Sequence, residues 1–230
     1  MDMVAHIHTN TSQRPMTTDH DILTLAQWFS PAFPVGAFAY SHGLETAIHA
    51  GTITNAQSLQ DWLSDVLTFG SGRNDCILLR VAYASESKQM LIATNDAAHA
   101  VSASAERLLE TQLQGAAFNT TTTAIWGGEQ NALCYPVAVG AAAAQNRINV
   151  DLTCALYLQA FASNLVSAAV RAVPLGQTDG QSILAALTPI CEEIAKETRN
   201  ATLDDLHSSA LLSDIAAMKH ETLQPRIFRS

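Results

Sequence analysis

The feature that most constrains this chain is a helical spacing of apolar residues that starts near Asp21 and continues almost to the end. Leu59, Trp62, Leu63, Val66 and Leu67 fall on one helix face, as do Ile77, Leu78, Val81 and Ala82. Leu108, Leu109 and Leu113 make a third stripe. Leu152, Leu156, Phe161, Leu165 and Val166 belong to a long helix that begins near Asn149. Ile183, Leu184, Leu187 and Ile190 form another, and Leu211, Leu212 and Ile215 a further one. Residues three and four apart share a face, so each stripe predicts the side its helix buries. Alanine, the best helix former, fills the positions between, and its small side chain lets helices approach closely. Alternating apolar and polar runs bounded by turn signals are essentially missing, which argues against a sheet. The expectation is an all-α fold: a single compact multi-helix domain of about eight to eleven helices, spanning residues 19–217.

Breakers mark the joints. Pro31, Pro34 and Gly36 interrupt one segment, and Gly51, Gly70 and Gly72 punctuate the next. Thr54 and Gln57 have the spacing of a capping box ahead of the first stripe. Gly127 and Gly128 mark a turn, Pro136 suits the first turn of a helix, and Pro174 with Gly176 ends the long helix. Asp179 is placed to cap the helix after it, and Asp204 with Asp205 suits a helix start. Residues 1–18 are polar and aperiodic and read as a disordered leader. Residues 218–230 read as a separate tail.

Composition narrows the function. Hydrophobic residues make up 48% of the 230 and charged residues only 14%, so few charges cover the surface and burial against other proteins is favoured. The net charge of −9 disfavours phosphate backbones, so no nucleic-acid partner is expected. The most apolar stretch, 156–173, is broken by Gln159, Ser163, Asn164 and Arg171, and no membrane association is expected. No basic-then-apolar leader suggests secretion. Cys76, Cys134, Cys154 and Cys191 are scattered, as befits buried free thiols in a reducing, cytoplasmic setting.

Motifs for catalysis are wanting. Gly70-Ser71-Gly72 has no preceding strand and no third glycine, and reads as a loop. His220-Glu221 has no second histidine four residues on, and no nucleophile elbow occurs. The acid pairs at 192–193 and 204–205 are adjacent, so on a helix they point about 100° apart. His6 and His8 could supply two metal ligands at most; His42, His49, His99 and His207 have no partner at ligand spacing. No enzyme activity, cofactor or metal site is expected.

Three segments stand apart from ordinary core. Residues 30–45, Ser-Pro-Ala-Phe-Pro-Val-Gly-Ala-Phe-Ala-Tyr-Ser-His-Gly-Leu-Glu, set Phe33, Phe38 and Tyr40 among breakers, to be buried under the domain or in a partner. In residues 170–181 the last turn of an apolar helix carries Arg171, where a cation is favoured. The tail sets Ile227 and Phe228 between Arg226 and Arg229, an aromatic–arginine mixture typical of binding hot spots.

These stretches resemble the UreF family of urease accessory proteins. Residues 30–45 are similar to that family's SPALPVGGFSYSQGLE, residues 157–181 to its long helix and Pro-Leu-Gly-Gln turn, and HETLQPRIFRS to its HETQYSRLFRS ending. The likeness runs in order over about residues 22–230. It implies an all-helical scaffold, usually a homodimer, that bridges UreD (also called UreH) and the GTPase UreG so that nickel enters apo-urease on GTP hydrolysis. An alternative is that it regulates the UreG GTPase through an arginine. Carried over residue by residue, the candidate partner-binding positions are Tyr40, Glu45, Arg171, Gln177, His220, Glu221, Arg226, Phe228, Arg229 and Ser230, with Phe33 and Phe38 added from the aromatic loop. Departures are Ala37 for the second glycine of a Gly-Gly pair, Phe33 for leucine, His42 for glutamine, and Leu223-Gln224-Pro225 for Gln-Tyr-Ser. Alanine at a position requiring φ > 0 would cost about 1 kcal/mol.

Overall fold

A computed structural model describes residues 17–230; residues 1–16 of the expected leader, with His6 and His8, lie outside it. Among the described residues there are ten α-helices, three short 3-10 turns and no strand, within the expected range. In order they are α1 (Asp19–Trp28), α2 (Leu44–His49), α3 (Ala56–Phe69), α4 (Ser71–Tyr83), α5 (Lys88–Ala100), α6 (Ala105–Trp126), α7 (Tyr135–Gln145), α8 (Val150–Ala172), α9 (Gln177–Glu197) and α10 (Leu211–His220).

The ends follow local chemistry. Thr18 caps α1, its hydroxyl accepting the Asp21 N–H while Asp21 accepts the Thr18 N–H. The first stripe is capped one residue later than its sequence suggests. Asn55, not Thr54, takes the extended conformation and accepts the Ser58 N–H at 3.0 Å. Asn149 caps α8 as expected. Asp179 works from inside α9, accepting the Gly176 N–H at 2.9 Å. Asp204 and Asp205 do not open a helix. They lie in the 3-10 turn 203–205, where Asp205 accepts the Thr202 N–H, and α10 begins only at Leu211.

Helix α4 packs against α3, α5, α7 and α8, and α8 packs in turn against α9. Helix α8 is long and apolar enough to cross a bilayer by length and composition alone, but half of its most apolar window is buried against its neighbours. Helix α7 is alanine- and valine-rich and buries Val137, Ala138, Val139 and Ala143. Glycine sets two of its contacts. A Cβ on Gly140 would lie 2.2 Å from the Leu79 carbonyl oxygen, and one on Gly115 of α6 would lie 1.9 Å from that of Leu133. All four cysteines are free and buried, and Cys76 and Cys154, 78 positions apart, become hydrogen-bonded neighbours.

Two predicted stripes are turned outward. On α6 the buried side is Glu110, Gln114, Gly115, Phe118, Asn119 and Thr122, while Leu109 and Leu113 are exposed. On α10 the small and polar residues Ala216, Ala217 and His220 are buried, and Leu211, Leu212, Ile215 and Met218 face outward. The reason on α10 is steric. A Cβ on Gly43, the residue before α2, would lie 2.5 Å from the Ala217 backbone nitrogen, so only a small-residue face can seat there. On α6 the buried carboxylate and amides find polar partners that leucine would leave unpaired.

Filling the tightest of these contacts should be costly. Gly115→Ala requires α6 and the 133–135 backbone to separate, and we expect a loss of about 1–3 kcal/mol by chemical denaturation. An unchanged midpoint would show that the approach is looser than described.

Candidate functional site

The three unusual segments fold onto one another. The chain between α1 and α2 turns at Gly36 (φ 72°) into a 3-10 turn over Ala37–Ala39. The left-handed residue is Gly36 and not Ala37, so the missing second glycine costs nothing. Asn164 of α8 donates to the Ala37 carbonyl at 2.9 Å, and Arg171, in the last turn of α8, donates to that of Phe38 at 3.0 Å. The Arg171 guanidinium also lies over the Phe228 ring, 4.8 Å from its centroid.

The tail is held by Glu45. Its carboxylate, 3% exposed, accepts the N–H groups of Ile227 at 2.7 Å and Phe228 at 2.9 Å, and lies 3.2 Å from His220 Nε2. Position 45 suits this role because Gly43, at φ 74°, turns the chain into α2 and sets Glu45 in its first turn. His220 is fully buried, with Nδ1 2.7 Å from Glu106 Oε2. Arg226 pairs with the same Glu106. Glu221 accepts the Ala105 N–H at 2.8 Å, at the start of α6, where the helix dipole favours a carboxylate. Farther along, the Arg229 N–H donates to the Ala39 carbonyl and the Ser41 N–H to the Ser230 main-chain oxygen, both at 2.8 Å. The Ser230 hydroxyl donates to Glu110 at 2.6 Å. The proposed boundary at 218 therefore falls within α10, and the residues after it are an integral layer of the fold.

Under the tail lies a charged floor. Arg107 pairs with Glu110 and donates to His42 Nδ1 at 2.7 Å. His42 keeps φ at 57°, an uncommon conformation for a residue with a side chain. Burial and Arg107 lower its pKa to about 4, against the pull of Glu110. Burial acts to raise Glu110, but Arg107, His42 and Ser230 outweigh it and hold the acid at about 2. Burial likewise opposes the ionised form of Glu45, and the Phe228 and Ile227 N–H groups with His220 hold it below the ordinary carboxylate value. Asp75 runs the other way: burial raises it to about 6 although the Tyr157 hydroxyl donates to it at 2.7 Å.

The candidate residues thus separate by exposure. Phe33, Tyr40, Glu45, His220, Phe228 and Ser230 are buried, and Phe33 packs on Phe118 with ring centroids 5.5 Å apart. Phe38 (68% exposed), Arg171, Glu221, Arg226 and Arg229 are exposed, and so is Ile227 (73%), which the sequence reading left out of the candidate set. Gln177 is exposed at the start of α9, and no tail residue is bonded to it among the described residues. Sequence reading also missed Glu106, Arg107 and Glu110. Their signals were the likeness of residues 106–115 to a segment of the UreF family and an acid–base–acid spacing along a stretch read as apolar stripe. Of the three candidate arginines, Arg171 and Arg226 are engaged within the chain and Arg229 is held through its backbone.

The sign of the pH dependence follows from these directions. A histidine lowered from 6.5 to about 4 is neutral in the fold and protonates more readily when unfolded, so its contribution is full above 6.5 and is lost as pH falls toward 4. Glu110 contributes above about 4.5 and loses that as pH falls toward 2. Asp75, being raised, opposes His42 in the same window. His42→Gln isolates the histidine. Relative to the parent chain, the variant should gain stability as pH falls from 6.5 to 4, measured by denaturant unfolding; a pH-independent difference would contradict the assignment.

Comparison with known proteins supplies the family. The UreF family model matches residues 53–188, more than half of the chain. A urease accessory protein UreF from Ruegeria pomeroyi is 54% identical over 213 residues, covering 93% of this chain and 98% of that protein. The protein of the same name from Roseobacter denitrificans is 50% identical over 222 residues, covering 96% and 99%. One from Cereibacter sphaeroides is 54% identical over 209 residues, covering 91% and 98%. Folded as a bundle whose terminal segment is clasped to its first loop, this chain belongs to the UreF family of urease accessory proteins.

Proposed function

We propose that the chain is a non-enzymatic, cytoplasmic scaffold of urease maturation that bridges UreD (UreH) and UreG, so that nickel enters apo-urease with GTP hydrolysis. The observation that carries this reading is the clasp. It fixes the tail's main chain at Ile227, Phe228 and Arg229 and leaves the side chains of Phe38, Ile227 and Arg229 outside. Exposed apolar side chains beside arginine, on an already ordered backbone, are what a partner can bury at low entropic cost. The outward faces of α6 and α10 add further apolar surface, which supports more than one partner, a second copy of this chain among them.

The reading separates two kinds of tail residue. Phe38→Ala with Ile227→Ala removes contact side chains and leaves the clasp. It should weaken co-purification with UreD and UreG at least about tenfold, with helical circular dichroism unchanged. Full capture by the double variant would sink the assignment of this rim.

Glu45→Gln instead loosens the clasp while leaving the rim side chains present. Amide exchange at Ile227 and Phe228 should rise, and partner capture should fall in proportion to the fraction released. Loss of capture with the tail amides still protected would mean that Glu45 meets the partner itself.

A further inference from the structure

We propose that the deep cleft between α1, the 30–42 loop, α6 and α8 binds a small amphipathic molecule, one with an apolar body and a hydrogen-bond-accepting oxygen. The inference goes beyond the scaffold reading and does not depend on it. The cleft holds about 510 Å³, the size of a small-molecule pocket. Its walls are apolar and aromatic: Leu25, Phe29, Phe33, Leu156, Phe161 and Leu184 all line it.

Its polar groups define the headgroup. Trp28 and His42 line the same cleft and are 0% and 7% exposed. Among the described residues neither Trp28 Nε1 nor His42 Nε2 meets a hydrogen-bond partner. A buried polar group without a partner costs about 1–3 kcal/mol, so two in one cleft call for an occupant. His42 Nδ1 faces Arg107 at 2.7 Å and Glu110 at 3.2 Å, so its open Nε2 donates or accepts according to the tautomer. Trp28 Nε1 can only donate, and it asks for an acceptor. Of the charges that line the cleft, Arg107 pairs with Glu110 and Tyr157 donates to Asp75, while Arg171 at the rim is bonded to the Ser167 and Phe38 carbonyls. An oxygen acceptor on the ligand would satisfy the Trp28 donor and displace only water.

Nile red is a suitable probe, being neutral, aromatic and equipped with a carbonyl acceptor. Titrated into the full chain, its emission should rise and saturate at one dye per chain. Ala160→Trp and Ser163→Trp fill the cleft from α8, and each should weaken binding at least about tenfold with the melting temperature retained. Should one fail to fold, the other carries the test. Trp28→Phe removes one donor and keeps most of the aromatic bulk; it should weaken binding about fivefold to tenfold. Ile92→Ser, on exposed α5 outside the cleft, should leave affinity unchanged. Absence of saturation would mean that water alone fills the cleft. Equal affinity in both tryptophan variants, or affinity that follows the melting temperature across all variants, Ile92→Ser included, would overturn the proposal.

Discussion

The structure turns on one buried carboxylate. Glu45 is almost fully removed from water, and a carboxylate in that position is tolerable only when its lone pairs are occupied. Two consecutive backbone N–H groups of the tail and the imidazole of His220 occupy them. The dependence runs both ways. Without the tail, Glu45 would be an unpaired charge under α10; without Glu45, the Ile227 and Phe228 amides would lose their acceptor. Neither partner is stable in this arrangement alone, which joins residues 182 and 183 positions apart into one cooperative unit. Glu106 and Glu110 repeat the device on α6, one holding His220 and Arg226, the other Ser230, Arg107 and His42.

That network explains which parts of the fold were legible in the sequence. Helices α3, α4 and α9 bury most of the stripes their spacing predicts, since apolar periodicity is a direct record of a face packed on a core, whereas on α8 Leu165 and Val166 are buried and Leu152, Leu156 and Phe161 are half-buried. Helices α6 and α10 misled for the same reason. Their leucines have helical spacing, but the faces opposite carry Glu110, Gln114 and His220, which are worth burying only because their partners arrive from far along the chain. Periodicity holds no information about those partners. The resemblance marked Glu45 and His220 as candidates without telling a contact from a brace. Ile227 was noted in the tail but left out of the candidate set, because a single exposed aliphatic has no pattern of its own.

Glycine and alanine explain the rest. An apolar helix can be replaced at an interface by any helix of similar pattern, but α10 seats against Gly43 because no larger residue fits between them. Close approach at Gly43, Gly115 and Gly140 gives the bundle a specific register, and leaves the bulky side chains of α10 on the outside. Exposed leucine is a poor choice for a chain that works alone. On a member of an accessory-protein family it is the kind of surface that the scaffold reading assigns to a partner.

The arrangement also bears on how a tail can serve as both structure and binding surface. A free segment that folds on contact must be ordered at the expense of binding energy, about 1–2 kcal/mol per residue for the backbone. Here the ordering has been done in advance by carboxylates inside the bundle, so that in the scaffold reading proposed above a partner meets side chains on a fixed backbone. The same design makes the surface conditional, since the Ile227 main chain is held by the Glu45 carboxylate and that of Arg229 by the Ala39 carbonyl of the first loop. On that reading, recognition at this rim reports on the integrity of the whole clasp, since an unclasped chain would present the same residues without the geometry the reading requires.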